Sequence, residues 1–104
     1  MVLVKLIEAN SIMKNSLKYL IVEGHELIIF NLRGEFFCYN ARCTHAGAPL
    51  FEGKIDGDLI VCPWHGARFS IVDGSVVKGI ATEPLKQYSL IIKDNFLYVN
   101  TEDF

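Results

Sequence analysis

The sequence predicts an all-β protein, a small antiparallel sandwich or partly open barrel. Three observations carry this. The chain of 104 residues is a succession of short apolar, β-branched runs. Two-residue turn signals separate most of them. No segment sustains a 3.6-residue apolar period over 11 residues or more, so helix is minor. The length suits one domain, 1–104. Just over half the residues are hydrophobic and about a fifth are charged, the balance of a folded globular chain.

In chain order, Val2–Ile7 reads as the first strand and Leu17–Val22 as the second, ended by Glu23-Gly24. Between them Ser11 is placed to cap a short helical turn, since a hydroxyl can accept a free backbone N–H. Glu26–Leu32 is a third strand, and Arg33-Gly34 turns it into Glu35–Tyr39. From Asn40 to Phe51 the alternation breaks, and Cys, His, Gly and Pro gather. Short strands follow at Lys54–Ile55 and Leu59–Val61 around Asp56-Gly57-Asp58. After a second loop at Cys62–Ala67, Phe69–Val72 and Ser75–Val77 flank Asp73-Gly74. A third loop spans Gly79 to Pro84. Gln87–Ile92 and Phe96–Val99 close the chain around Asp94-Asn95.

The formal charge of −2, with acids and bases interspersed, gives no basic face for nucleic acid or an anionic membrane. Apolar runs such as Leu27–Phe30 are far shorter than a membrane span, and Met1 to Leu6 is too short for a signal h-region. A cytoplasmic protein is expected. Three cysteines, two of them beside histidines, point to metal before disulfide.

Two segments carry the chemistry, Cys43-Thr44-His45 and Cys62-Pro63-Trp64-His65, with sixteen residues between His45 and Cys62. Each offers one thiolate and one imidazole from a loop at a strand end. The intervening hairpin would return the second loop to the side of the first. In Cys-x-His on an extended backbone, the ligands lie about 6–7 Å apart along the chain. One tetrahedral zinc would need a tight turn there. A two-iron cluster relaxes the demand, with the cysteines on one iron and the histidines on the other. Zinc and the cluster both stay open at this point.

The motif Cys-x-His, sixteen residues, Cys-x-x-His resembles that of the Rieske family. The flanks are similar too: Cys43-Thr44-His45-Ala46-Gly47-Ala48-Pro49-Leu50 and Cys62-Pro63-Trp64-His65-Gly66-Ala67-Arg68-Phe69. The segment from Asp73-Gly74 through Pro84-Leu85 to Tyr88 resembles the family's third, proline-containing loop. The resemblance implies a Rieske-type antiparallel β fold with a small cluster-binding subdomain inserted between strands of a larger one. The cluster loops would lie near 41–50, 62–69 and 79–85. It implies one [2Fe–2S] cluster on Cys43, His45, Cys62 and His65, with His45 and His65 as the electron exit. The subgroup it most resembles is the Rieske-type ferredoxins of bacterial aromatic-ring dioxygenases. The implied partners are a flavin-containing reductase as donor and a terminal oxygenase or similar acceptor.

Departures from the respiratory members sharpen this. Ala48 and Trp64 stand where those proteins carry a disulfide. Ala67 and Phe69 stand where they place a serine and a tyrosine hydroxyl against sulfur. Hydrogen bonds to sulfur favour the reduced cluster, so their absence implies a potential at the low end of the Rieske range, about −150 mV. That fits delivery to an oxygenase rather than quinol oxidation. The chain lacks a second group of His and carboxylate ligands, since His25 is its only other histidine, so it is expected to be an electron carrier rather than an enzyme. Two alternatives are the small subunit of an assimilatory nitrite reductase and a zinc-stabilised interaction module. Among the remaining residues, Cys38 is expected in the core, His25 in solvent and Trp64 over the cluster loop. Arg42 and Arg68 read as ordinary surface charge.

Overall fold

The computed structural model describes residues 1–44, 46–64, 66–79 and 83–104. Among them eleven strands form three antiparallel sheets, with no α-helix. The strands are β1 (Leu3–Glu8), β2 (Ser16–Val22), β3 (His25–Leu32), β4 (Glu35–Asn40), β5 (Lys54–Asp56), β6 (Leu59–Val61), β7 (Arg68–Ser70), β8 (Val76–Lys78), β9 (Gln87–Tyr88), β10 (Leu90–Lys93) and β11 (Phe96–Asn100). The central sheet has the order β2-β3-β4-β9, an outer sheet β1-β11-β10, and a third sheet β5-β6-β7-β8. The third sheet is inserted between β4 and β9 of the central one.

Turn chemistry explains the hairpins. Glu23-Gly24, Arg33-Gly34 and Asp94-Asn95 all have both residues at positive φ, the twist that matches paired strands. In β3 the apolar run Leu27–Phe30 does not alternate because both faces are covered. Leu27 and Ile29 pack with Cys38, Tyr88, Leu97 and Val99 against the outer sheet. Ile28 and Phe30 pack with Tyr39, Leu50, Ile60, Phe69 and Ile71 against the insert. In β11 only one face is buried, and Leu97 and Val99 alternate inward as a one-sided strand should.

Two expectations are corrected. Gln87 to Ile92 is not one strand. The chain leaves the central sheet after Tyr88, which pairs with Cys38, and Leu90 joins the outer sheet opposite Val99. At the crossing the Ser89 amide donates to the Asp103 carboxylate at 3.1 Å, which replaces a ladder bond. Ser11 is not an N-cap either. It ends the 3-10 turn Ala9–Ser11, and its hydroxyl donates to the Glu8 carbonyl at 2.6 Å.

The insert is tied to the central sheet by polar contacts as well as packing. Tyr39 donates its hydroxyl to the Ile71 carbonyl at 2.5 Å. Arg33, in the β3–β4 turn, pairs with Asp58, in the β5–β6 turn, at 2.7 Å. The Leu85 amide returns to the Gly74 carbonyl at 2.9 Å as the chain leaves the insert.

Candidate metal centre

The two cysteine loops are built alike. In each, the cysteine amide donates to the carbonyl of an alanine five residues on: Cys43 to Ala48 at 2.8 Å and Cys62 to Ala67 at 2.7 Å. In each, a glycine four residues after the cysteine has a left-handed backbone, Gly47 at φ 69° and Gly66 at φ 68°. Only glycine adopts that conformation without a Cβ penalty, which accounts for the Gly-Ala step in both loops. The hairpin β5–β6 brings the second loop back beside the first, in the register Lys54↔Val61 and Ile55↔Ile60.

Cys43 and Cys62 are both buried and both free thiols, in one core cluster with Ala48, Ala67 and Phe69. Their sulfurs are neighbours. Burial pushes the Cys62 thiol above its ordinary value, the Trp64 backbone amide donated to it pulls the other way, and the adjacent Cys43 thiol pushes it further up. Ala67 and Phe69, the residues without hydroxyls, are almost fully buried in the same cluster. His45 and His65 lie outside the described residues. Of the four residues singled out in the sequence, the structure therefore places two, and places them side by side.

The third loop meets both others. The Thr44 hydroxyl donates to the Glu83 carbonyl at 2.8 Å. At the other end, Gly79 has φ 109°, and a Cβ built there would lie 2.7 Å from the Ala67 Cα. Ile80, Ala81 and Thr82, within that loop, lie outside the described residues.

The other side chains singled out in the sequence gain specific partners or keep their expected places. Arg42 is a surface charge as expected, but a paired one. Its guanidinium binds the Glu26 carboxylate at 2.9 Å and lies 5.5 Å from the centre of the Phe51 ring. Arg68 pairs with Asp56 at 2.9 Å. Trp64 is 49% exposed, and its backbone amide donates to the Cys62 sulfur. His25 is exposed as expected but stacks on Phe104, with ring centres 4.3 Å apart. Cys38 is fully buried, and burial pushes its thiol up to about 12, so it is inert packing rather than a ligand. No sequence signal marked Tyr19 or Glu26 as neighbours of the first loop, because strand pairing brings them there.

The donor set fits an iron–sulfur cluster. Two buried thiols stand together without a disulfide, and each loop carries a histidine two or three residues further on. Comparison with known proteins agrees. Residues 2–89 match the Rieske [2Fe-2S] domain family. The 3-phenylpropionate/cinnamic acid dioxygenase ferredoxin subunit of Photorhabdus laumondii is 34% identical over 79 residues, 75% of this chain and 75% of that protein. The ferredoxin component of the naphthalene 1,2-dioxygenase system of Pseudomonas putida is 32% identical over 94 residues, 88% of this chain and 90% of that protein. Among solved structures, the Sphingomonas yanoikuyae B1 ferredoxin is similar with a TM-score of 0.87 and 30% identity, over 93% of this chain and 96% of that one. A chain in the complex of reduced oxygenase and oxidized ferredoxin in carbazole 1,9a-dioxygenase is similar with a TM-score of 0.88 and 28% identity, over 93% and 91% of the two chains.

Proposed function

This chain belongs to the Rieske [2Fe–2S] family, and on that premise we propose that it is a one-electron carrier holding the cluster on Cys43, His45, Cys62 and His65. It is a ferredoxin rather than an enzyme, as its relatives are components of dioxygenase systems. The observation that carries the ligand assignment is the pairing of buried Cys43 and Cys62 from two loops of matching backbone, each cysteine followed by a histidine two or three residues on.

Bound there, the cluster accepts and releases single electrons. The chain's own residues prepare the site. Cys43 and Cys62 give up their protons on binding, since a thiolate is the ligand. The Trp64 amide directed at the Cys62 sulfur stabilises that thiolate. Ala48, Ala67 and Phe69 exclude water around the sulfurs. Ala67 and Phe69 offer no hydroxyl to them, which supports a low potential. At the two ends of the third loop, Gly79 lies against Ala67 and the Glu83 carbonyl is bound by Thr44.

We propose the whole chain, 1–104, as one domain with cluster loops near 41–50, 62–69 and 79–85. The acceptor we propose is a terminal oxygenase, supported by the solved oxygenase–ferredoxin complex of carbazole 1,9a-dioxygenase. The donor we propose is a flavin-containing reductase. A cytoplasmic location belongs to the same reading, supported by three free cysteines. Among the described residues no helix is long and apolar enough to cross a membrane.

Iron and sulfide analysis with EPR of the reduced protein tests the reading. The expected result is two irons and two sulfides per chain and a Rieske spectrum that His45→Ala or His65→Ala abolishes. A colourless zinc protein, or a spectrum kept by both variants, would overturn it.

A further inference from the structure

Arg42 precedes the first cysteine, and its guanidinium is engaged on three sides. Its Nε and Nη2 donate to Oε2 of Glu26 at 3.1 and 2.9 Å. Its Nη1 reaches the Gly47 carbonyl at 3.5 Å, the long end of hydrogen bonding. Its third contact is the Phe51 ring, within cation–π range. The same Glu26 oxygen also accepts the Tyr19 hydroxyl at 2.8 Å, and the Tyr19 ring stacks on Phe51 at 4.1 Å. Tyr19 and Glu26 are diagonal neighbours on one face of the β2–β3 ladder, since Tyr19 opposes Ile28 and Ile21 opposes Glu26.

The contacts close a ring. The central sheet supplies Tyr19 and Glu26, the first loop supplies Arg42 and Gly47, and the 3-10 turn Leu50–Glu52 supplies Phe51. An ordinary exposed ion pair contributes little and holds no fixed geometry. Here one carboxylate oxygen takes three donors, and an aromatic pair backs the guanidinium. The Glu26 backbone is engaged as well, because its carbonyl accepts the Ala41 amide at 3.1 Å just before the loop begins.

We propose that Arg42 is a positioning residue that sets the charge beside the first cysteine loop, and that Glu26, braced by Tyr19, offsets that charge. The inference rests on the ferredoxin reading above. Taking up an electron makes the site more negative, so a fixed cation nearby favours the reduced state and a carboxylate nearby opposes it. The two side chains should therefore move the potential in opposite directions.

The test is voltammetry of the loaded protein, with EPR confirming the cluster in each variant. Glu26→Gln keeps an oxygen for Arg42 and Tyr19 but removes the negative charge, and is expected to shift the potential upward. Arg42→Gln is expected to shift it downward. Arg42→Lys keeps the charge without the planar fork, and is expected to stay nearer the wild type than Arg42→Gln. Raising the ionic strength should shrink each shift. Shifts of the same sign in Glu26→Gln and Arg42→Gln, or no shift in either, would overturn the proposal. If Arg42→Gln does not retain the cluster, the decision falls to Glu26→Gln, where an unmoved or lowered potential overturns the proposal equally. A wild-type protein without a Rieske spectrum would instead overturn the ferredoxin reading.

Discussion

The Thr44 hydroxyl donates to the Glu83 carbonyl at 2.8 Å, across 39 residues of chain. This bond latches the third loop to the first between two proposed ligands, Cys43 and His45. A net hydrogen bond of this kind contributes about 0.5–1.5 kcal/mol. Thr44→Val, which keeps the shape, should therefore open the loop more often. Loss of visible absorbance under an iron chelator is expected to run roughly two- to tenfold faster than in the wild type. An unchanged rate would show that the latch does not limit access.

Gly79 is constrained twice, by its φ of 109° and by the Ala67 Cα against it. Gly24 has a similar φ of 81° but open space around its Cα. Gly79→Ala is expected to cost about 1–3 kcal/mol in urea unfolding of the loaded protein. Gly24→Ala should cost less, about 1–2 kcal/mol, because only the backbone term applies. Equal costs would mean that the approach of the third loop to Ala67 is not a constraint.

Arg33 beside Asp58 holds that carboxyl below the usual carboxylate range. A carboxylate lowered in the folded state stabilises the fold above its unfolded value, and the contribution fades as pH falls through the folded one. Wild type should exceed Asp58→Asn in urea stability at neutral pH. The difference should persist to about pH 4, the ordinary Asp value, and vanish below it. A difference independent of pH would mean that packing, not charge, joins the two turns.

Ala67 and Phe69 are almost completely buried in the cluster that holds both cysteines. A hydroxyl added at either position needs a partner there, and sulfur is the one the reading supplies. Ala67→Ser and Phe69→Tyr are expected to raise the reduction potential. A loss of stability with no rise in potential would show that these positions do not face sulfur.

Much of the fold was legible from local chemistry. Glu23-Gly24, Arg33-Gly34 and Asp94-Asn95 marked hairpins because each turn needs positive φ, which Gly24, Gly34, Asp94 and Asn95 reveal by type. The central run Leu27–Phe30 was legible as a strand, but not as one covered on both faces. That property belongs to the sheets on either side. The break at Ser89 was equally hidden, because Gln87 to Ile92 has uniform strand character and only its partners divide it.

The sequence by itself determined the all-β class, the two cysteine loops and the family they resemble. Those rest on spacing and turn chemistry, which act over a few residues. The tertiary structure decided that Cys43 and Cys62 sit side by side and that Glu83 latches onto Thr44. It also decided that Arg42, read from the sequence as ordinary surface charge, is held by Glu26 and Phe51. Most of these contacts join residues far apart in the chain, and strand pairing within the insert and the packing of the insert on the central sheet bring them within reach.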